Sequence, residues 1–129
     1  MARNIEKQII SYLRSSEFLS DSENYAKSRD FSIRDSVGLE KTRKCVYLWG
    51  HCIFTLDKEN SIKFSFQGWQ TSTTKGRIDA LLSAFSSCSA GIRQKNYRLV
   101  FSSSVGEFPI DPDKIYTIKN GKPEEVESI

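Results

Sequence analysis

The stretch from Lys44 to Gln67, KCVYLWGHCIFTLDKENSIKFSFQ, constrains the fold of this chain more than any other. Ile62, Phe64 and Phe66 alternate with Ser61, Lys63, Ser65 and Gln67. Period two is the repeat of a β-strand, so this segment predicts one face on a core and one in water. In KCVYLW, Val46 and Leu48 alternate with Cys45, Tyr47 and Trp49, the pattern of a strand covered on both faces. Gly50-His51 breaks that strand or makes a bulge, and Cys52, Phe54 and Leu56 continue as a second strand. Asp57-Lys58-Glu59-Asn60 then supplies a four-residue hairpin turn. Successive strands joined by short turns pair antiparallel.

The flanking segments bring helices and further strands. In GWQTSTTKGRIDALLSAF, Ile78, Leu81, Leu82 and Phe85 fall at i, i+3, i+4 and i+7, one apolar helix face. Thr73 or Thr74 is the expected N-cap, and Ser86-Ser87 with Ser89 to Gly91 ends the helix. Ile5, Ile9, Tyr12 and Leu13 mark an N-terminal helix that fades at Ser15-Ser16 or soon after Phe18. Residues 20–43 read as a long polar loop, with Phe31, Ile33 and Val37 suggesting one short strand near 30–34. Ile92 onward and Tyr97 to Phe101 form two strands joined at Lys95-Asn96. Pro109 and Asp111-Pro112 mark a loop, Lys114 to Ile118 a last strand, and Asn120-Gly121 a turn. The expectation is one α+β domain over 1–129: an antiparallel sheet of five or six strands, one central helix packed on it, and an N-terminal helix. Within it, 1–43 is the N-terminal helix and polar loop, 44–118 the β-rich core, and 119–129 a frayed acidic tail.

Composition narrows the class. At 129 residues and 38% hydrophobic, the chain has room for one modest core. Three cysteines exclude a disulfide scaffold, and no apolar run approaches the roughly 20 residues a membrane helix needs. The charged start, MARNIEKQIISYLRSSEF, is unlike a secretory signal, so reduced thiols in a cytoplasm are expected. His51 is the single histidine and nothing places a nucleophile beside it. Asp111 and Asp113 are two acids on a proline loop, and no Walker or dinucleotide loop is present, so neither enzyme chemistry nor a cofactor is expected. Cys45, His51 and Cys52 match no zinc spacing, and no metal is expected.

The net charge of +3 hides an uneven distribution. Residues 1–40 carry six basic and seven acidic side chains, 41–98 ten and three, and 99–129 three and six. A basic middle between acidic ends suggests an anionic partner, against the plainer reading that these cations are spread over solvated faces. Within that middle, the first turn of the central helix gathers Thr71, Thr73, Thr74, Lys75 and Arg77. Cations at a helix start oppose the macrodipole, while helix N–H groups and hydroxyls can hold a phosphate. The alternative is that the threonines only cap the helix and the cations reach solvent or pair with Asp79. Trp69 could stack on a base or anchor a core or an interface. Arg93, Lys95, Asn96 and Arg98, around a hairpin, form a second candidate anion contact beside Gln94.

GWQTSTTKGRI, preceded by YLWGHCIF and SIKFSFQ, resembles the recurrent core of a family of small bacteriophage and mobile-element proteins with no assigned chemistry. That core is Gly-Trp-x-Thr-x-Thr-Thr-Lys/Arg-x-Arg followed by an aliphatic residue. The likeness covers residues 46–80, with a weaker echo in GIRQKNYRLVF, and Gln67 stands where many relatives carry a second glycine. The resemblance implies a phage accessory protein made in the host cytoplasm and supplies no mechanism. Such factors look like host-takeover or counter-defence proteins that act by binding. Here the partner would be a nucleotide immune signal, or a nucleic-acid-binding host defence complex. The alternatives are a nucleic-acid-binding protein and a structural or assembly protein of the particle. Trp49, Phe54, Trp69 and Phe108 form an apolar surplus that would allow self-association.

Overall fold

The computed structural model describes residues 3–23 and 26–129. The fold is α+β. It opens with α1 (Asn4–Ser15), β1 (Lys27–Asp30), β2 (Asp35–Leu39) and β3 (Arg43–Leu48). Next come β4 (His51–Asp57), β5 (Ile62–Ser65) and α2 (Ser72–Phe85). It closes with β6 (Gly91–Lys95), β7 (Arg98–Ser102), β8 (Glu107–Pro109), β9 (Ile115–Lys119) and β10 (Lys122–Val126). Seven strands form one antiparallel sheet in the order β1-β2-β3-β4-β5-β9-β10, and β6-β7-β8 form a second, smaller one.

Two differences from the expected five or six strands have physical causes. The polar segment 20–43 contains two paired strands, β1 and β2, instead of one near 30–34. All four residues of β1 are exposed, so an edge strand of this kind carries no apolar alternation to read. The acidic tail is likewise a strand: Lys122–Val126 pairs along β9 through an Asn120-Gly121 turn with both φ positive. Its Pro123 and Glu residues suit an edge position. Pro109, expected in a loop, ends the short strand β8.

One apolar cluster joins the whole. Ile9 and Leu13 of α1, Ile78, Leu81 and Leu82 of α2, and the inward residues of β2 to β5 all belong to it. The small sheet docks through Phe101, whose ring stacks on Phe64 at 5.9 Å. Between β3 and β4 the register slips, so that Val46 faces Phe54 while Tyr47 faces Cys52. The extra residue, Ile53, turns inward beside Phe54, both being buried. Phe54 is therefore core, not part of an exposed apolar surplus.

The elements converge at one end of the large sheet. The β1–β2 loop, the Trp49-Gly50 turn and the chain leaving β5 all lie there, because β2 starts where β3 ends and β4 starts (Asp35 opposite Leu48, Leu48 opposite His51). Helix α2 begins from this same end, with Thr71 as its N-cap in place of Thr73 or Thr74.

Candidate functional site

The sequence GWQTSTTKGR divides between two environments. Its C-terminal cation is interior: Arg77 is 1% exposed and lies between two carboxylates. Arg77 Nε donates to Asp35 Oδ1 at 2.7 Å, Nη2 to Asp35 Oδ2 at 3.3 Å, and Nη1 to Glu6 Oε2 at 2.8 Å. Asp35 and Glu6 are also buried. Burial alone would raise the Asp35 carboxyl, but hydrogen bonds from Arg77 and Ser32 outweigh it and hold it below its usual range. Arg77 therefore joins α2 to α1 and β2 and is withdrawn from any ligand. Gly76 serves the same junction, since a Cβ there would stand 3.1 Å from Glu6 Oε2. Among the described residues Asp79 pairs with no cation; its Oδ1 accepts from Ile92 N at 2.8 Å, tying α2 to β6.

The N-terminal half of the segment builds a cleft of about 180 Å³. Leu48, Ile53 and Phe66 give it apolar lining, and Trp49, His51, Trp69, Arg34, Gln67, Thr71, Thr73 and Thr74 complete the wall. Trp49 is 55% exposed and Trp69 52%. The His51 and Trp69 rings lie 5.8 Å apart. Two turns hold the indoles. Trp69 N donates to Phe66 O across Gln67-Gly68, both at positive φ, and Gln67 Nε2 donates to Cys52 O at 2.7 Å. Trp49 N donates to Arg34 O at 2.8 Å. Thr71 Oγ1 accepts from Thr74 N at 3.1 Å and bonds the Thr74 hydroxyl, so these two hydroxyls are spent on the cap, leaving Thr73 as the helix-start hydroxyl at the cleft with no partner among the described residues. Gly68 N bonds Pro112 O, which sets the Asp111–Asp113 loop against the other side of this turn.

The remaining candidates fall elsewhere. Lys75 lines a shallow groove with Arg3, Glu6, Ser72 and Asp79, away from the cleft. Arg93 and Lys95 are exposed and share Glu107, at 3.2 and 3.9 Å. Asn96 and Tyr97 make the β6–β7 turn, one residue later than Lys95-Asn96, and Arg98 follows exposed. Gln70 Nε2 donates to Tyr97 O at 3.1 Å, so this turn abuts the residue next to Trp69.

Much of the basic middle proves structural. Lys44 is buried with Nζ donating to Leu13 O and Ser16 O at 2.7 and 2.5 Å, closing the C-terminal end of α1. Arg43 pairs with Glu40 and donates to Ile129 O, and Lys63 donates to Ser128 O. Sequence reasoning missed Arg34 and gave His51 and Trp49 no place in a ligand site. The missed signal is Trp-Gly between two strands. Trp49 and Gly50 both take positive φ, 53° and 77°, the conformation in which Asn-Gly is the stable choice. A bulky residue held there costs on the order of 1–3 kcal/mol.

A family model for the Kyanoviridae Gp96 protein matches residues 2–118. The chain belongs to that family. It is thus a bacteriophage protein of a family whose function is unknown. The match includes both tryptophan turns, Arg77 and its two carboxylates, and ends ahead of β10. No curated protein and no solved structure matches the chain. Among the described residues, no helix is long and apolar enough to cross a membrane.

Proposed function

We propose that this phage protein is a non-enzymatic binding protein whose working site is the Trp49–Trp69 cleft. Its ligand is a planar ring bearing an anionic group, a nucleotide. The observation that carries this reading is two half-exposed indoles lining an apolar cleft with Arg34 at its wall. Exposed aromatic faces take bases by stacking, and a guanidinium suits the phosphate. A cleft of about 180 Å³ is small beside the roughly 300–1,000 Å³ of drug-sized sites, so it accepts one ring system and leaves the sugar and phosphate outside. In the host cell, capture of a nucleotide would serve takeover or counter-defence. The apolar floor of Leu48, Ile53 and Phe66 also favours a second reading, a socket for one side chain of a host protein.

The chain's two tryptophans both line the cleft, so tryptophan emission, excited selectively over the five tyrosines, reports on this site. Titration with AMP, UMP and thymidine monophosphate is expected to quench it saturably. Arg34→Ala should weaken nucleotides more than the corresponding nucleosides. Absence of quenching by any of these at millimolar concentration would refute the nucleotide reading.

A further inference from the structure

We infer that the physiological ligand is a single-stranded nucleic acid several nucleotides long, laid from the Trp49–Trp69 cleft to the Asn96–Tyr97 turn; this rests on the cleft being a base site. The first observation is continuity. Trp69 adjoins Gln70, whose side chain holds the carbonyl of Tyr97, and Tyr97 is 91% exposed. Trp49, His51 and Trp69 thus line the cleft, and the exposed Tyr97 stands on the turn that abuts the residue after Trp69, each ring able to stack a base without regard to its identity.

The second observation is independent of the first. Trp49 and Tyr97, at φ 53° and 64°, occupy two-residue hairpin turns at positions that favour Asn or Gly. The Asn120-Gly121 turn of the same chain uses the favoured pair. Aromatic rings stand at these two turns although the backbone would be more stable without them. The third observation is charge. Lys95 and Arg98 face each other directly across the β6–β7 ladder, where like charges repel, and among the described residues the pair meets one carboxylate, Glu107, 3.9 Å from Lys95. Arg34 flanks the other end. A phosphate backbone passing the β6–β7 turn would relieve that repulsion and reach Arg34, whose Nε lies 3.4 Å from Asp35 Oδ2, at the other end.

The test compares thymidine monophosphate, dT10, rU10 and a duplex by fluorescence quenching, with wild type, Tyr97→Gly and Trp49→Asn. We expect dT10 or rU10 to bind at least about ten-fold tighter than the mononucleotide, with affinity falling as salt rises. Whichever of the two oligomers binds tighter identifies DNA or RNA as the source. Tyr97→Gly should raise the melting temperature, weaken the oligomer about five-fold or more, and leave the mononucleotide unchanged. Trp49→Asn should also melt higher while weakening both ligands. If the oligomer binds no tighter than the mononucleotide, or Tyr97→Gly leaves oligomer binding intact, or duplex binds equally well, the extended site is refuted and the cleft reading stands. If neither mononucleotide nor oligomer binds, the cleft reading falls with it.

Discussion

Replacing Arg77 by methionine tests the interior of this fold most directly. The substitution keeps most of the side-chain volume and removes a guanidinium that donates to Asp35 and Glu6 at 2.7, 2.8 and 3.3 Å. Those carboxylates are 1% and 4% exposed, so each would remain buried without its cation. Breaking a buried pair from one side costs about 3–5 kcal/mol, a large part of the roughly 5–15 kcal/mol that holds a small domain folded. Urea unfolding at pH 7 should show the midpoint falling with little change in slope. The pH dependence adds a signed test. In wild type the Asp35 carboxyl is held below 3.8, so its contribution is whole above that pH and is lost as pH falls through the lower folded value. Without Arg77 the carboxyl keeps only the Ser32 bond and the Arg34 charge against its burial, so it rises from its wild-type position and the variant loses less on protonation. The gap between wild type and Arg77→Met should therefore narrow on acidification through about pH 4. Adding Asp35→Asn and Glu6→Gln to Arg77→Met should recover part of the loss at pH 7. A single variant costing under about 1 kcal/mol, or a triple variant no more stable than the single one, would refute the account of Arg77 as a structural cation.

Three further outcomes follow from named contacts. Gly76→Ala in an ordinary helix interior would gain about 1 kcal/mol, but here the new methyl would stand 3.1 Å from Glu6 Oε2 inside the ion triad. No rise in melting temperature is expected, and a clear rise would show that the triad tolerates the displacement. Lys44→Met removes two charge-assisted bonds to the end of α1 and should cost about 2–3 kcal/mol, with faster amide exchange in the last turn of that helix. Alkylation of the native protein, mapped by mass spectrometry, should modify Cys52 ahead of Cys45. Its nearness to the Cys45 thiol lowers Cys52, which is half-buried, whereas Cys45 is raised by Cys52, by full burial and by donating to Glu40 Oε2 at 3.0 Å. Equal labelling would contradict this arrangement.

The sequence was most informative where burial imposes a period. Residues 44–67 and the apolar face of α2 repeat as a strand and a helix must, because one side of each meets the core. The edges β1 and β10 escaped notice for the converse reason: a strand with polar residues on both faces has no period to detect. Charge counting failed differently. It registers Lys44, Arg43, Lys63 and Arg77 as four free cations, while folding brings each to a carbonyl or carboxylate distant in sequence. What remains solvent-facing at the cleft is chiefly aromatic, and an aromatic at a turn is distinguishable from core only when the turn's φ values are known. The two parts of GWQTSTTKGR are nonetheless connected. Arg77 fixes Asp35, Asp35 Oδ2 lies 3.4 Å from Arg34 Nε, and the Arg34 carbonyl holds Trp49 N at 2.8 Å. Removing Arg77 should thus weaken ligand binding at the cleft even in the fraction that stays folded, whereas Lys44→Met, at a site also buried but remote from that chain of contacts, should lower stability and leave binding to the folded protein unchanged. A loss of affinity of the same size in both variants would mean that binding merely follows global stability and that Arg77 has no positioning role.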